Sequence, residues 1–145
     1  MDAEKIRAML LKLPYVAETM QWGANLVFWV GDKAIGGKMF ALVDLDDKGG
    51  PVISYAAGLE RFAELVEQEG IRPAPYLARA HWVAVERWGV FRTREWETEL
   101  EAAHAIIYAK LPKRTRDVLA MPAGERKRII TERKEFLAKR ATAKR

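Results

Sequence analysis

The stretch Leu26-Val27-Phe28-Trp29-Val30-Gly31-Asp32-Lys33-Ala34-Ile35-Gly36-Gly37-Lys38-Met39-Phe40-Ala41-Leu42-Val43 decides the fold. Two apolar runs, rich in β-branched and aromatic residues, flank a segment with glycine at both ends. That is the pattern of two antiparallel strands and their connection. Neither run alternates apolar with polar residues, as a sheet with one face in water should. The pattern therefore predicts a sheet covered, at least in part, on both faces. The second cover would be the C-terminal helices, a second copy of the chain or a ligand.

Outward from this pair, further strands are predicted at 15–22 and 52–56, the latter after the turn Asp46-Asp47-Lys48-Gly49-Gly50-Pro51. A leading helix capped by Asp2 carries Ile6, Met9, Leu10 and Leu13 at helical spacing and ends at Pro14. A second helix at 59–68 presents Leu59, Phe62, Ala63 and Val66 and stops at Gly70. Arg72-Pro73-Ala74-Pro75 must be extended or looped. A last strand follows at 81–87, and then a helix capped by Thr93 with the stripe Trp96, Leu100, Ala103, Ile107 and Leu111. The fold class is α+β: two layers with an antiparallel sheet, plus C-terminal helices.

Beyond Pro112 the chain reads as a short helix near 114–120, a break at Met121-Pro122-Ala123-Gly124 and a longer helix from 125 to about 140. Ile129, Ile130, Phe136 and Leu137 share one side of that helix. Four sizeable apolar residues are too many for a solvated arm, so the helix is expected to dock.

The 145 residues are half apolar and carry a net charge of +5. That charge is divided unevenly. Residues 1–112 hold 13 Lys/Arg against 16 Asp/Glu, and residues 113–145 hold 12 against 4. A mildly acidic domain, 1–112, is thus followed by a basic helical extension, 113–145, where attraction to polyanions should start. Cysteine is absent, which excludes disulfides and thiolate metal sites and suits a reducing cytoplasm. No signal peptide is read at the start of the chain, and no apolar run approaches a membrane span, so a cytoplasmic location is expected.

Catalytic candidates are few. Ser54 is the only serine, and a triad would require it to meet His81 or His104 and a carboxylate. Gly36-Gly37-Lys38 lacks phosphate-loop spacing and precedes a strand. Asp44-Leu45-Asp46-Asp47-Lys48-Gly49 fails as a calcium loop, since Lys48 and Tyr55 stand where ligands belong. The reading is of no enzyme, no cofactor and no metal. Trp22, Trp29, Trp82, Trp88 and Trp96 are expected in the core, with Trp88, at a strand end, the candidate for exposure.

Gly37-Lys38-Met39-Phe40-Ala41, the loop Arg72-Pro73-Ala74-Pro75-Tyr76-Leu77 and the strand His81-Trp82-Val83-Ala84-Val85 together resemble the MmcQ/YjbR family. The order of elements fits as well, over residues 2 to 112. The resemblance implies a CyaY-like fold and a DNA-binding double wing built from β-hairpins, with no catalytic residues. Lys33, Lys38 and Lys48 would then sit at or beside hairpin turns, with Arg79 and Arg87 flanking the Trp strand. The extension adds Arg114, Arg116, Arg126, Lys127, Arg128, Arg133 and Lys134. The expected partner is DNA, with RNA second, bound largely without sequence preference by a monomer or homodimer. The alternative is a protein-interaction domain whose last helix covers the sheet or joins two copies.

Overall fold

The computed structural model describes residues 1–46 and 49–143. Its elements run α1 (Ala3–Leu11), β1 (Val16–Gln21), β2 (Asn25–Val30), β3 (Lys38–Asp44), β4 (Ile53–Ala56), α2 (Leu59–Leu65), β5 (Ile71–Pro73), β6 (Trp82–Val85), α3 (Thr93–Lys110), α4 (Lys113–Leu119) and α5 (Ala123–Ala143). Short 3₁₀ turns at Lys33–Ile35, Ala78–Ala80 and Trp88–Val90 punctuate them. The six strands form one antiparallel sheet in the order β1-β2-β3-β4-β6-β5. Arg72-Pro73, ambiguous in the sequence, lies in the edge strand β5, the position a sheet tolerates for proline.

The helices α1, α2 and α3 share one face. Arg7 of α1 forms an ion pair with Glu18 of β1, and Arg61 of α2 forms one with the buried Glu99 of α3. Beneath them Ile6, Leu10, Phe28, Phe40, Ile53, Tyr55, Val83, Trp96 and Leu100 form the core. Asp2 caps α1 by accepting from the Lys5 N–H at 2.8 Å. Thr93 is the first helical residue of α3, not its cap. The Glu95 carboxylate instead accepts from the Arg92 N–H at 3.0 Å, the reciprocal half of a capping box.

The missing alternation has two causes. A bulge between Phe28 and Trp29 pairs Phe28 with Ala41 but Trp29 with Met39, so Phe40 is unopposed. Phe40 turns to the helical face and stacks edge-on against His104 at 5.4 Å. The second face, with Val27, Trp29, Leu42, Ser54 and Ala84, is largely buried as well. The Trp29 indole donates to Thr19 Oγ1 at 2.9 Å, and the Lys33 ammonium lies 5.7 Å from its ring centre.

The C-terminal helices close one end of the sheet, not its face. Thr115 is fully buried and donates to the Ile35 carbonyl at 2.7 Å, and Leu119 packs on Gly31. The connection they seal is tight: a Cβ on Gly37 would lie 1.8 Å from the Gly31 oxygen. The division at Pro112 therefore separates charge and not packing, since α4 is part of the core.

Candidate nucleic-acid interface

The antiparallel order places the β2–β3 connection, with Lys33 and Lys38, at one end of the sheet. The β1–β2 and β3–β4 connections lie at the other end. The helix α3 runs to the Lys33 end and delivers α4 and α5 there. Arg126, at the start of α5, fixes this arrangement. Its guanidinium donates to the Leu119 and Met121 carbonyls, each at 3.3 Å, and lies 5.5 Å from the Tyr15 ring centre. One turn further on, Ile129 and Ile130 are half-buried, and Lys134 forms an ion pair with Asp32 at 3.0 Å. The expectation that this helix docks thus holds for its first half. In the second half Phe136 and Leu137 remain exposed.

Helical periodicity then sorts the charges of α5. Arg126, Arg133 and Arg140 recur every seven residues and form one stripe, beside Ile129, Ile130, Phe136 and Leu137. Glu125, Glu132 and Glu135 fall about 80–160° around the helix from that stripe. The carboxylates thus lie on the flank of the arginine stripe, Glu132 one turn before Phe136. Between the stripe, the 3₁₀ turn and α4 lies an open groove of about 500 Å³, with Ile35, Val118, Ile129 and Leu137 as its apolar floor. Lys33, Arg114 and Arg133 ring it. Phe136 stands beside it between two guanidinium groups, Arg133 at 4.9 Å and Arg140 at 5.9 Å.

Among the sequence candidates, Lys33, Lys38, Arg114, Arg116, Arg126, Arg133 and Lys134 converge on this end. Arg114, Arg116 and Lys38 are exposed and have no ion-pair or hydrogen-bond partner for their side chains among the described residues. Arg126 is occupied as a structural tie and Lys134 by Asp32. Lys127 and Arg128 point outward on α5, Arg128 toward Glu132 at 3.0 Å. Arg79 sits in the 3₁₀ turn before β6, at the same sheet end but toward the far edge. Arg87 follows β6 at the opposite end, 3.3 Å from Glu69. Lys48 lies outside the described residues.

Two features escaped the sequence reading. Arg140 joins the stripe, and its seven-residue spacing from Arg133 was the available signal. Trp22, not Trp88, is the exposed indole. It occupies the tip of the β1–β2 hairpin at 62% exposure, while Trp88 packs on Trp96 at 5.5 Å.

The catalytic candidates stay apart. Ser54 is on the helix-free face, paired in register with Ala84 and Leu42. His104 is on α3, bonded through Nε2 to the Pro14 carbonyl at 2.7 Å, and His81 packs edge-on against Phe62. No cluster of three His, Asp or Glu suited to a metal occurs among the described residues. Among them, too, no helix is long and apolar enough to cross a membrane.

Fold and site together define a small antiparallel α+β domain whose chemistry is a basic, part-apolar groove at one sheet end. The chain belongs to the YjbR family, whose model matches residues 11–106. It is similar to the crystal structure of Deinococcus radiodurans protein DR2400, of the domain family DUF419. That match has a TM-score of 0.71 at 28% identity and covers 83% of this chain and 89% of the other. No curated protein matches the chain. The family model ends inside α3, so α4, α5 and most of the groove lie beyond it.

Proposed function

We propose that this protein is a non-catalytic, cytoplasmic DNA-binding module, largely indifferent to sequence, that holds phosphates at the Lys33 end of its sheet. The observation that carries the reading is the placing at that end of unpaired cations from two separate elements, Lys38 from β3 and Arg114 and Arg116 from α4, near the arginine stripe of α5. The groove's apolar floor offers no side-chain hydrogen bond to a base edge, so contacts to the backbone dominate.

Binding of labelled DNA as a function of salt tests this. Five engaged phosphates give a slope of log K against log salt of about −3.5 to −4.5. Charge reversal at Lys38 and Arg114 together should flatten that slope and weaken binding severalfold. Salt-independent binding, or unchanged affinity in the double variant, would sink the reading.

A second reading keeps one specific observation, the exposed pair Phe136 and Leu137. As a protein-interaction module the chain would use them to join two copies. Sedimentation of the native chain and of Phe136→Ser separates the two readings. A native dimer that the substitution dissociates favours the second.

A further inference from the structure

We infer that the groove accepts unpaired nucleotides, so that the preferred ligand is single-stranded nucleic acid and not duplex; this rests on the DNA-binding reading above. A duplex offers a protein its phosphate ridges and groove edges, with every base face already stacked on its neighbours. Against such a ridge the cations of this site would find partners, but its apolar surface would not. Ile35, Val118, Ile129 and Leu137 line the floor directly between Lys33, Arg114 and Arg133. Docking phosphates on that rim would desolvate the floor without filling it. A single strand can place phosphates on the rim and a base against the floor.

The volume agrees. About 500 Å³ lies within the range of sites that take small organic ligands. The second, independent observation is Phe136. Its ring is 48% exposed at the groove margin, between the guanidinium groups of Arg133 and Arg140. An aromatic face flanked by arginines is the arrangement on which unpaired bases stack, whatever their identity. It agrees with binding that is indifferent to sequence. The charge is complementary as well: the groove is ringed by Lys33, Arg114 and Arg133.

The experiment is fluorescence anisotropy with the full chain and two probes, a short labelled oligothymidine and a duplex of the same length, with polyglutamate as competitor. The oligothymidine is expected to bind at least tenfold more tightly than the duplex. Phe136→Ala should lower its affinity about tenfold, as loss of one stacked base does, and leave the duplex affinity unchanged. Phe136 is half exposed near the end of a helix, so this variant keeps the fold, which its circular dichroism and melting temperature verify. Thr131→Ala, on the outer side of α5, should change neither probe. Duplex binding equal to or tighter than single-strand binding, with Phe136→Ala silent on both, would overturn the single-strand inference and leave the DNA reading standing. Absence of binding to either probe would overturn both. Displacement of oligothymidine by polyglutamate at equal charge would overturn the inference by showing a groove that reads charge alone.

Discussion

Tyr55 and Trp22 carry the two local costs most open to measurement. The Tyr55 side chain is fully buried under α3, and its hydroxyl has no hydrogen-bond partner among the described residues. Burial, reinforced by the nearby Glu99 carboxylate, pushes its ionisation far above the ordinary value near 10. The folded state therefore keeps its proton where the unfolded chain releases it. This contribution to stability is complete below pH 10 and falls above it by about 1.4 kcal/mol per pH unit. Tyr55→Phe should remove that alkaline slope. At neutral pH it should also stabilise the protein by about 1 kcal/mol, by deleting an unsatisfied buried hydroxyl. Urea denaturation at pH 7 and pH 11 measures both effects. Trp22 has a left-handed backbone, φ 47°, at the hairpin tip, followed by Gly23 at φ 83°. A bulky residue is strained there and its ring, mostly exposed, is held by little. Trp22→Asn should raise stability by about 1 kcal/mol in thermal unfolding. Neither cost was legible in the sequence. A tyrosine in an apolar strand declares its burial but not whether its hydroxyl finds a partner. A Trp-Gly pair after a strand marks a turn without saying which residue takes the strained position.

At the scale of elements, the seal between α4 and the β2–β3 connection decides whether the groove exists. Thr115 is anchored by its hydrogen bond to Ile35, and a Cβ on Gly36, where φ is 90°, would lie 2.5 Å from its hydroxyl oxygen. Thr115→Val keeps the volume and removes the bond, leaving the Ile35 carbonyl unpaired. The expected cost is about 1–2 kcal/mol, with faster proteolysis in the break at 121–124, measured by limited digestion beside urea denaturation. Glycine punctuation, apolar runs and helical stripes located nearly every element within a few residues, because each is a local signal. The seal was not legible, because it joins residues 80 positions apart through one hydroxyl. The bulge at Phe28 was legible only through its effect. Two strands that failed to alternate pointed to a second covering layer, and a register shift accounts for part of that pattern.

Over the whole molecule, the two ends of the sheet differ in charge and therefore in expected partner. At the far end the described loop residues Asp44, Asp46 and Glu86 stand with Arg87, which Glu69 already engages. At the near end, Lys38, Arg114 and Arg116 face solvent without a partner for their side chains among the described residues. The sequence located the excess charge correctly in residues 113–145 and anticipated a docked helix. It could not tell which hairpin the helix would meet, since that depends on strand order and on the direction of α3. Residues remote in sequence, Lys33 and Arg133, thus come to line one groove. The difference between the two ends makes a direct prediction. Arg114→Ala should reduce the salt slope for nucleic acid by about 0.7–0.9 and weaken binding at low salt. Arg87→Ala, equally basic and equally exposed but at the far end, should leave both unchanged. Equal losses from the two substitutions would mean that binding follows net charge and not the groove, and would remove the reason for placing the partner at the Lys33 end.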